Sequence, residues 1–245
     1  MDKKEEVIVI ENLYKSFGDL HILQGIDLKL HKGENLGILG KSGTGKSVLT
    51  KCIVRLIEPD AGKITILGED VLACNAAELN EVRKKIGYLF QGGALYDSMS
   101  VRENLHFPIR RTRFTDREHD SEELVEKALR SVGLLDAIDK MPSELSGGMK
   151  KRIALARALI LQPEIILYDE PTTGLDAVTS GEISELILKV REEYNTASII
   201  ITHDMKCAKI STDIIKIMKE GVFVVEGTYD ELKNCKDKEI QNYFI

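Results

Sequence analysis

The sequence predicts an α/β fold with a largely parallel core sheet and an antiparallel β subdomain at its N-terminus. Three observations carry that prediction. Short apolar, β-branched runs alternate with helical stretches, the pattern that builds a parallel sheet. The segment GKSGTGKS, Gly40 to Ser47, matches the phosphate-binding pattern G-x-x-x-x-G-K-[ST] and lies between one such run and a helix. Ahead of it the chain alternates polar and apolar residues with turn residues between the runs, as half-buried antiparallel strands do.

The elements follow in order. VIVIENL, HILQGIDLKL and KITILG read as the N-terminal antiparallel sheet. NLGILG is a short apolar strand running into the Gly-rich loop, and IGYLFQ is another. Residues 98–162 are expected to be mostly helical, with SEELVEKALRSV ending at Gly133 as a helix should. After Pro163, EIILYDE reads as a buried strand. DAVTSGEISELILKVREEY follows as a helix with Ile183, Leu186, Ile187 and Val190 on one face. ASIIITH is a further strand, and DIIKIMKEGVFVVEG is a hairpin turning near Gly221.

At 245 residues the chain is expected to form a single domain, 1–245, and 43% hydrophobic content suffices for its core. A formal net charge of −6 argues against broad nucleic-acid binding, which shows a basic excess or stripe. The local basic run RRTRF, Arg110 to Phe114, is soon followed by acidic residues and reads as a solvated surface stretch; a partner-facing patch is the other reading. Cys52, Cys74, Cys207 and Cys235 have neither zinc nor disulfide spacing and fit a reducing compartment. The N-terminus MDKKEEVIVIENL has no apolar signal core, and no apolar run is long enough to cross a bilayer. If the protein serves a membrane, another chain is expected to do the spanning.

Within the Gly-rich loop, Gly40, Ser42, Gly43, Thr44 and Gly45 bring backbone amides around a β-phosphate. Lys46 adds a point charge for the β- and γ-phosphates, and the Ser47 hydroxyl is placed to ligate Mg²⁺. Ligands of open α/β sheets bind at the strands' carboxyl ends. Asp169 ends the strand IILYD on that edge and can reach the same Mg²⁺; Glu170, one residue on, can act as a general base toward water. The plainer reading of DEP is a strand cap and turn. Gln91 and His203 end two further strands, where an amide oxygen can meet Mg²⁺ or water and a neutral imidazole can hydrogen-bond a phosphate oxygen or the attacking water. A lone His after a strand is more often structural. Tyr14 or Phe17 can stack on a purine, or either can simply pack. A second phosphate cradle is written into ELSGGMKKRIALARAL, where Ser146, Gly147 and Gly148 open a helix whose free amides and dipole favour an anion.

This set resembles the ATP-binding-cassette (ABC) nucleotide-binding domain over essentially the whole chain. The P-loop, Gln91, LSGGM, IILYDEP, TTGLD and His203 occur in that family's order. The resemblance implies a P-loop NTPase (RecA-like) core with an inserted helical subdomain around residues 93–160. It implies Phe17 as the adenine-stacking aromatic, with Tyr14 nearby, and ATP with Mg²⁺ held by Ser47, Gln91 and Asp169. It further implies a head-to-tail homodimer in which Ser146, Gly147 and Gly148 cradle the γ-phosphate of the partner's ATP and Asp176 links the two sites. Glu170, His203, Gln91 and Lys46 would be the catalytic set. Met149 departs from the commoner Gln, which leaves the Ser-Gly-Gly amides intact.

FQGGALYDSMSVRENLHFPIR and LSGGMKKRIALARAL look like the Mla/Mce-type ATPases that drive lipid movement between bacterial membranes. That likeness implies a separate membrane permease whose coupling helix is received near Gly92, Ala94, Leu95 and Tyr96, a substrate-binding protein of the Mce type, and a peripheral position on the cytoplasmic face of the inner membrane. Amino-acid importers, lipoprotein-release ATPases and multidrug exporters share the ATPase core and remain alternatives. A soluble ABC ATPase acting on ribosomes or DNA usually carries two cassettes, coiled coils or basic extensions, none of which is visible here.

Overall fold

A computed structural model of the chain describes residues 5–112 and 118–244. The chain opens with strands β1 (Glu6–Phe17), β2 (Leu20–His31) and β3 (Asn35–Leu39), then helix α1 (Lys46–Ile53), strands β4 (Ala61–Ile66) and β5 (Glu69–Asp70), helix α2 (Ala76–Lys84) and strand β6 (Ile86–Leu89). Helices α3 (Val101–Thr112), α4 (Glu118–Ser131) and α5 (Gly147–Leu159) precede strand β7 (Ile165–Asp169) and helix α6 (Ala177–Tyr194). Strand β8 (Ala197–Ile201), helix α7 (Met205–Ser211), the hairpin β9 (Ile214–Lys219) and β10 (Val222–Gly227), and short helices α8 (Tyr229–Lys233) and α9 (Lys238–Gln241) complete it.

Two sheets form among the described residues. One is antiparallel in the order β2-β1-β4-β5. The other runs β10-β9-β3-β8-β7-β6, parallel from β9 to β6 with β10 added as a hairpin edge. This is the α/β class expected, with the antiparallel unit N-terminal.

Strand periodicity explains the layering, because alternate residues face opposite sides. Ile165 and Leu167 of β7, with Ile199 and Ile201 of β8, join the core formed with the antiparallel sheet and with Leu49 and Ile53 of α1. Ile166 and Tyr168, with Ile200, face the opposite way into a second core with α3, α4, α5 and α6. A fully buried parallel sheet therefore reads as unbroken apolar runs, IIL in β7 and III in β8, rather than as alternation. The face predicted for α6 is the one it buries: Ile183, Leu186, Ile187 and Val190 all lie in the second core. Helix α4 stops two residues before Gly133, whose φ of +69° reverses the chain.

Gln91 and His203 each stand two residues past the end of their strands, β6 and β8, a small correction to the expectation that they end them. Arg110 and Arg111 are exposed at the end of α3, as a solvated stretch requires, while Arg113, Phe114 and Asp116 fall outside the described residues. No helix among the described residues is long and apolar enough to cross a membrane. All four cysteines are free thiols.

Candidate active site

The loop from Gly40 to Gly45 leaves the carboxyl end of β3 and turns directly into α1. Gly45 makes the turn possible. It takes φ +105°, and a Cβ there would stand 2.8 Å from the Ile22 carbonyl oxygen of β2. The amides of the first turn of α1 are thereby left facing outward, the arrangement that suits a polyphosphate.

Lys46 is buried, and its ammonium donates to the carbonyls of Gly40 at 2.7 Å and Lys41 at 3.0 Å. Burial pulls its pKa below the ordinary lysine value, opposed by the charges of Glu170 and Asp169. One N–H remains for an incoming anion. The Ser47 hydroxyl donates to Asp169 Oδ1 at 2.8 Å, across 122 residues of sequence. Burial raises the Asp169 pKa, and the Ser47 hydrogen bond works against that rise.

Glu170 follows Asp169 in a left-handed conformation, φ +54°, with its amide donating to the Ile201 carbonyl. A left-handed glutamate is strained by about 1–2 kcal/mol, a conformation often stored at functional sites. Its Oε2 accepts from the Thr173 hydroxyl at 3.0 Å and lies 2.7 Å from His203 Nδ1. His203 itself is largely exposed, with 64% of its side chain accessible, so its other ring nitrogen faces open space at the mouth of the site. A cleft of about 360 Å³ opens there, lined by Gly40, Lys41, His203, Met205, Asn242 and Tyr243.

The structure therefore brings Lys46, Ser47, Asp169, Glu170 and His203 together on the carboxyl edge of the parallel sheet. Phe17 stands 50% exposed near the tip of the β1–β2 hairpin, with the Lys15 ammonium 5.2 Å from its ring centroid. It pairs with Leu20, two residues from the Ile22 carbonyl that abuts Gly45, so the hairpin carries it to the loop's flank. The Gln91 side chain is exposed, and it is its backbone carbonyl that the protein engages.

The second cradle is equally well formed. Ser146 caps α5, its Oγ accepting from Met149 N at 3.3 Å, and Ser146 and Gly147 are exposed. At Gly148 a Cβ would meet Thr179 Cγ2 at 2.5 Å, so α5 approaches the start of α6 closely only without a side chain there. Asp176 caps α6, accepting from the amides of Val178 and Thr179 at 3.0 Å each and from the Thr179 hydroxyl at 2.6 Å. Those bonds, the Thr179 hydroxyl first, hold its carboxyl below the usual range.

Pattern reading misses two groups. Lys151 of α5 is buried and its ammonium donates to the carbonyls of Gln91 and Glu170. The signal for it is positional: 151, 154, 155 and 159 share the buried face of α5. Asn104, fully buried on α3, donates to the carbonyls of Tyr96, Met99 and Ser100 at 3.0–3.1 Å and accepts from Tyr96 N at 2.8 Å. It fixes the loop that presents Tyr96, whose ring lies 5.0 Å from that of Phe107.

The donor set fits Mg²⁺–nucleotide. Ser47 and Asp169 offer hard oxygens, and no group of three or more His, Cys, Asp or Glu among the described residues could hold a metal alone. Mg²⁺ is commonly held by one or two carboxylates, with phosphates and water filling its octahedron.

Comparison with known proteins places this geometry in context. The family model described as "ABC transporter" matches residues 23–173. The chain is 37% identical to the methionine import ATP-binding protein MetN 1 of Bacillus licheniformis, over 96% of this chain and 71% of that one. It is also 37% identical to the intermembrane phospholipid transport system ATP-binding protein MlaF of Haemophilus influenzae, over 98% of this chain and 90% of that one. The dimeric post-hydrolysis structure of the ATP-binding cassette MJ0796, bound to ADP and Pi, superposes with a TM-score of 0.82 at 30% identity, over 91% of this chain and 98% of that one.

Proposed function

Because this chain belongs to the ABC transporter family of ATP-hydrolysing subunits, we propose that it powers a separate membrane permease moving phospholipids between bacterial membranes. The observation that carries the catalytic part is the pairing of Ser47 with Asp169 and of Glu170 with His203 beside the buried Lys46. The lipid part is supported by the near end-to-end match to MlaF and by the segment after Gln91 that the Mla/Mce-type ATPases share.

In this reading ATP enters with its adenine on Phe17 and its phosphates in the loop Gly40–Ser47. Lys46 shifts an N–H from a loop carbonyl to the γ-phosphate side. Ser47, Asp169 and the Gln91 amide would hold Mg²⁺, which would supply charge neutralisation to the polyphosphate. Glu170 accepts the proton of the attacking water, and the single N–H of a neutral His203 serves in turn, on the Glu170 carboxylate as seen here and on a γ-phosphate oxygen once ATP is bound. Ser146, Gly147 and Gly148 of a second copy close over the γ-phosphate, so ATP favours the head-to-tail dimer and hydrolysis releases it. Asp176 links the two sites.

The permease's coupling helix sits by Gly92, Ala94, Leu95 and Tyr96, on the loop that Asn104 fixes. The residues around 93–160 work as a helical subdomain of the single cassette 1–245. The assembly includes a substrate-binding protein of the Mce type and lies on the cytoplasmic face of the inner membrane, without nucleic acid.

The substrate is tested by purifying the chain with its native permease and identifying co-purifying small molecules by mass spectrometry. Phospholipids are expected to co-purify and to stimulate hydrolysis. Stimulation by an amino acid such as methionine, with lipids inert, would overturn the lipid reading and leave the ATPase reading standing.

A further inference from the structure

We infer that Lys151 is a positioning residue for hydrolysis: its buried ammonium ties the helix opening at Ser146, the loop of Gln91 and the backbone of Glu170 into one unit. This rests on the catalytic roles proposed above for Gln91 and Glu170. Lys151 sits in the second turn of α5, flanked by Lys150 and Arg152, both only partly buried. A lysine there can reach water easily, and long cationic side chains usually do. Lys151 instead turns inward, 7% exposed.

What it meets explains the direction. Strands β6 and β7 are neighbours, and their ladder ends with Leu89 opposite Tyr168. Counting on by two residues puts Gln91 opposite Glu170, beyond the last rung. Their carbonyls are the two to which the Lys151 ammonium donates, that of Glu170 at 3.3 Å. The ammonium thus replaces the missing rung between two strand ends and adds α5 as a third member. Two turns further along α5, Arg157 donates to the Gly93 carbonyl at 3.1 Å. The loop from Gln91 to Gly93 is therefore held at both ends by cations of one helix, the same helix that presents the second phosphate cradle. Lys151 makes no hydrogen bond, among the described residues, to the loop Gly40–Ser47 or to Asp169, whose partner is the Ser47 hydroxyl, so nucleotide capture and this tie are separable.

The test compares Lys151→Met, which keeps the stem and deletes the donors, with Lys151→Arg and Lys151→Gln, which retain donors, in the full chain. The expected result for Lys151→Met is a kcat lower by at least about tenfold, with the affinity for a fluorescent ATP analogue in Mg²⁺ within about twofold of wild type. Arg or Gln is expected to recover a substantial part of kcat. Wild-type kcat in Lys151→Met, a matching loss of nucleotide affinity, or no recovery by either donor variant would each overturn the inference. Should the Met variant not fold, Arg and Gln carry the test: near-wild-type affinity with kcat graded by donor reach supports it, and kcat tracking affinity overturns it. Glu170→Gln is run alongside. If that variant keeps wild-type turnover, the active-site reading itself fails; if it is inactive while Lys151→Met is active, only the role of Lys151 fails.

Discussion

One oxygen of Glu170 serves two partners at once, the Thr173 hydroxyl and the His203 imidazole, while the other makes no hydrogen bond among the described residues and can accept a proton. Glu170→Gln keeps the shape and removes the basicity. It is expected to bind ATP as wild type does and to lose turnover by about 10²–10⁴-fold, a barrier higher by about 3–5 kcal/mol, which steady-state hydrolysis and nucleotide-binding assays separate. At this scale the sequence is legible where residue type and strand position coincide: Ser47 after the loop, Asp169 and Glu170 at the end of IILYD. The distances between them are not legible, because 122 residues separate Ser47 from the carboxylate it meets. Lys151 is hidden for a different reason. In the run MKKR it reads as one of several solvated cations, and only the helix's buried face singles it out.

Helices α5 and α6 begin beside each other, and the contact that sets their spacing is Gly148 against Thr179. The Thr179 rotamer is held by its hydroxyl, which donates to Asp176 at 2.6 Å, so its methyl cannot easily turn away. Gly148→Ala is expected to push the two helix starts apart and to weaken ATP-dependent dimer formation on size-exclusion chromatography, with monomer nucleotide affinity little changed. Adding Thr179→Ser removes the methyl at 2.5 Å and keeps the capping hydroxyl, so the double variant is expected to recover dimer formation. No recovery would show that the alanine methyl acts in the cradle rather than on α6. Strands and long helices were legible as periodicity, because burial on one or both faces writes itself into the chain. Helix α2 is hard to read from the sequence, although Asn75 and Glu78 form a capping box at its start; its short amphipathic pattern, with only Leu79 and Val82 buried, carries little periodic signal. The stations of Gln91 and His203 are not written in the chain either, since a strand's last residue depends on its neighbour's register.

Across the whole molecule, the two phosphate cradles raise a geometric problem that a single chain does not solve. Both lie at the carboxyl edge of the parallel sheet, one after β3 and the other at the head of α5, which packs against β6. Strands β8 and β7 stand between β3 and β6, so three spacings of about 4.8 Å separate the supporting strands by roughly 14 Å. Hydrogen-bond donors must approach a phosphate oxygen to about 3 Å. One γ-phosphate is therefore not expected to satisfy both cradles of one chain, whereas a second copy turned head to tail brings its own Ser146–Gly148 over the first copy's loop. Lys46→Ala removes the buried phosphate-facing ammonium from both loops of a homodimer, and Ser146→Arg fills both second cradles. In a mixed dimer of the two variants, one site combines both defects and the other has an intact loop facing an intact Ser-Gly-Gly. Co-expression with distinct tags, tandem purification and measurement of occluded ATP is expected to recover about one nucleotide per mixed dimer, against almost none in either parent. Occlusion is the better readout than turnover, because hydrolysis can require two competent sites. If a folded, verified mixed dimer occludes no more than its parents, the cradles do not meet across two chains.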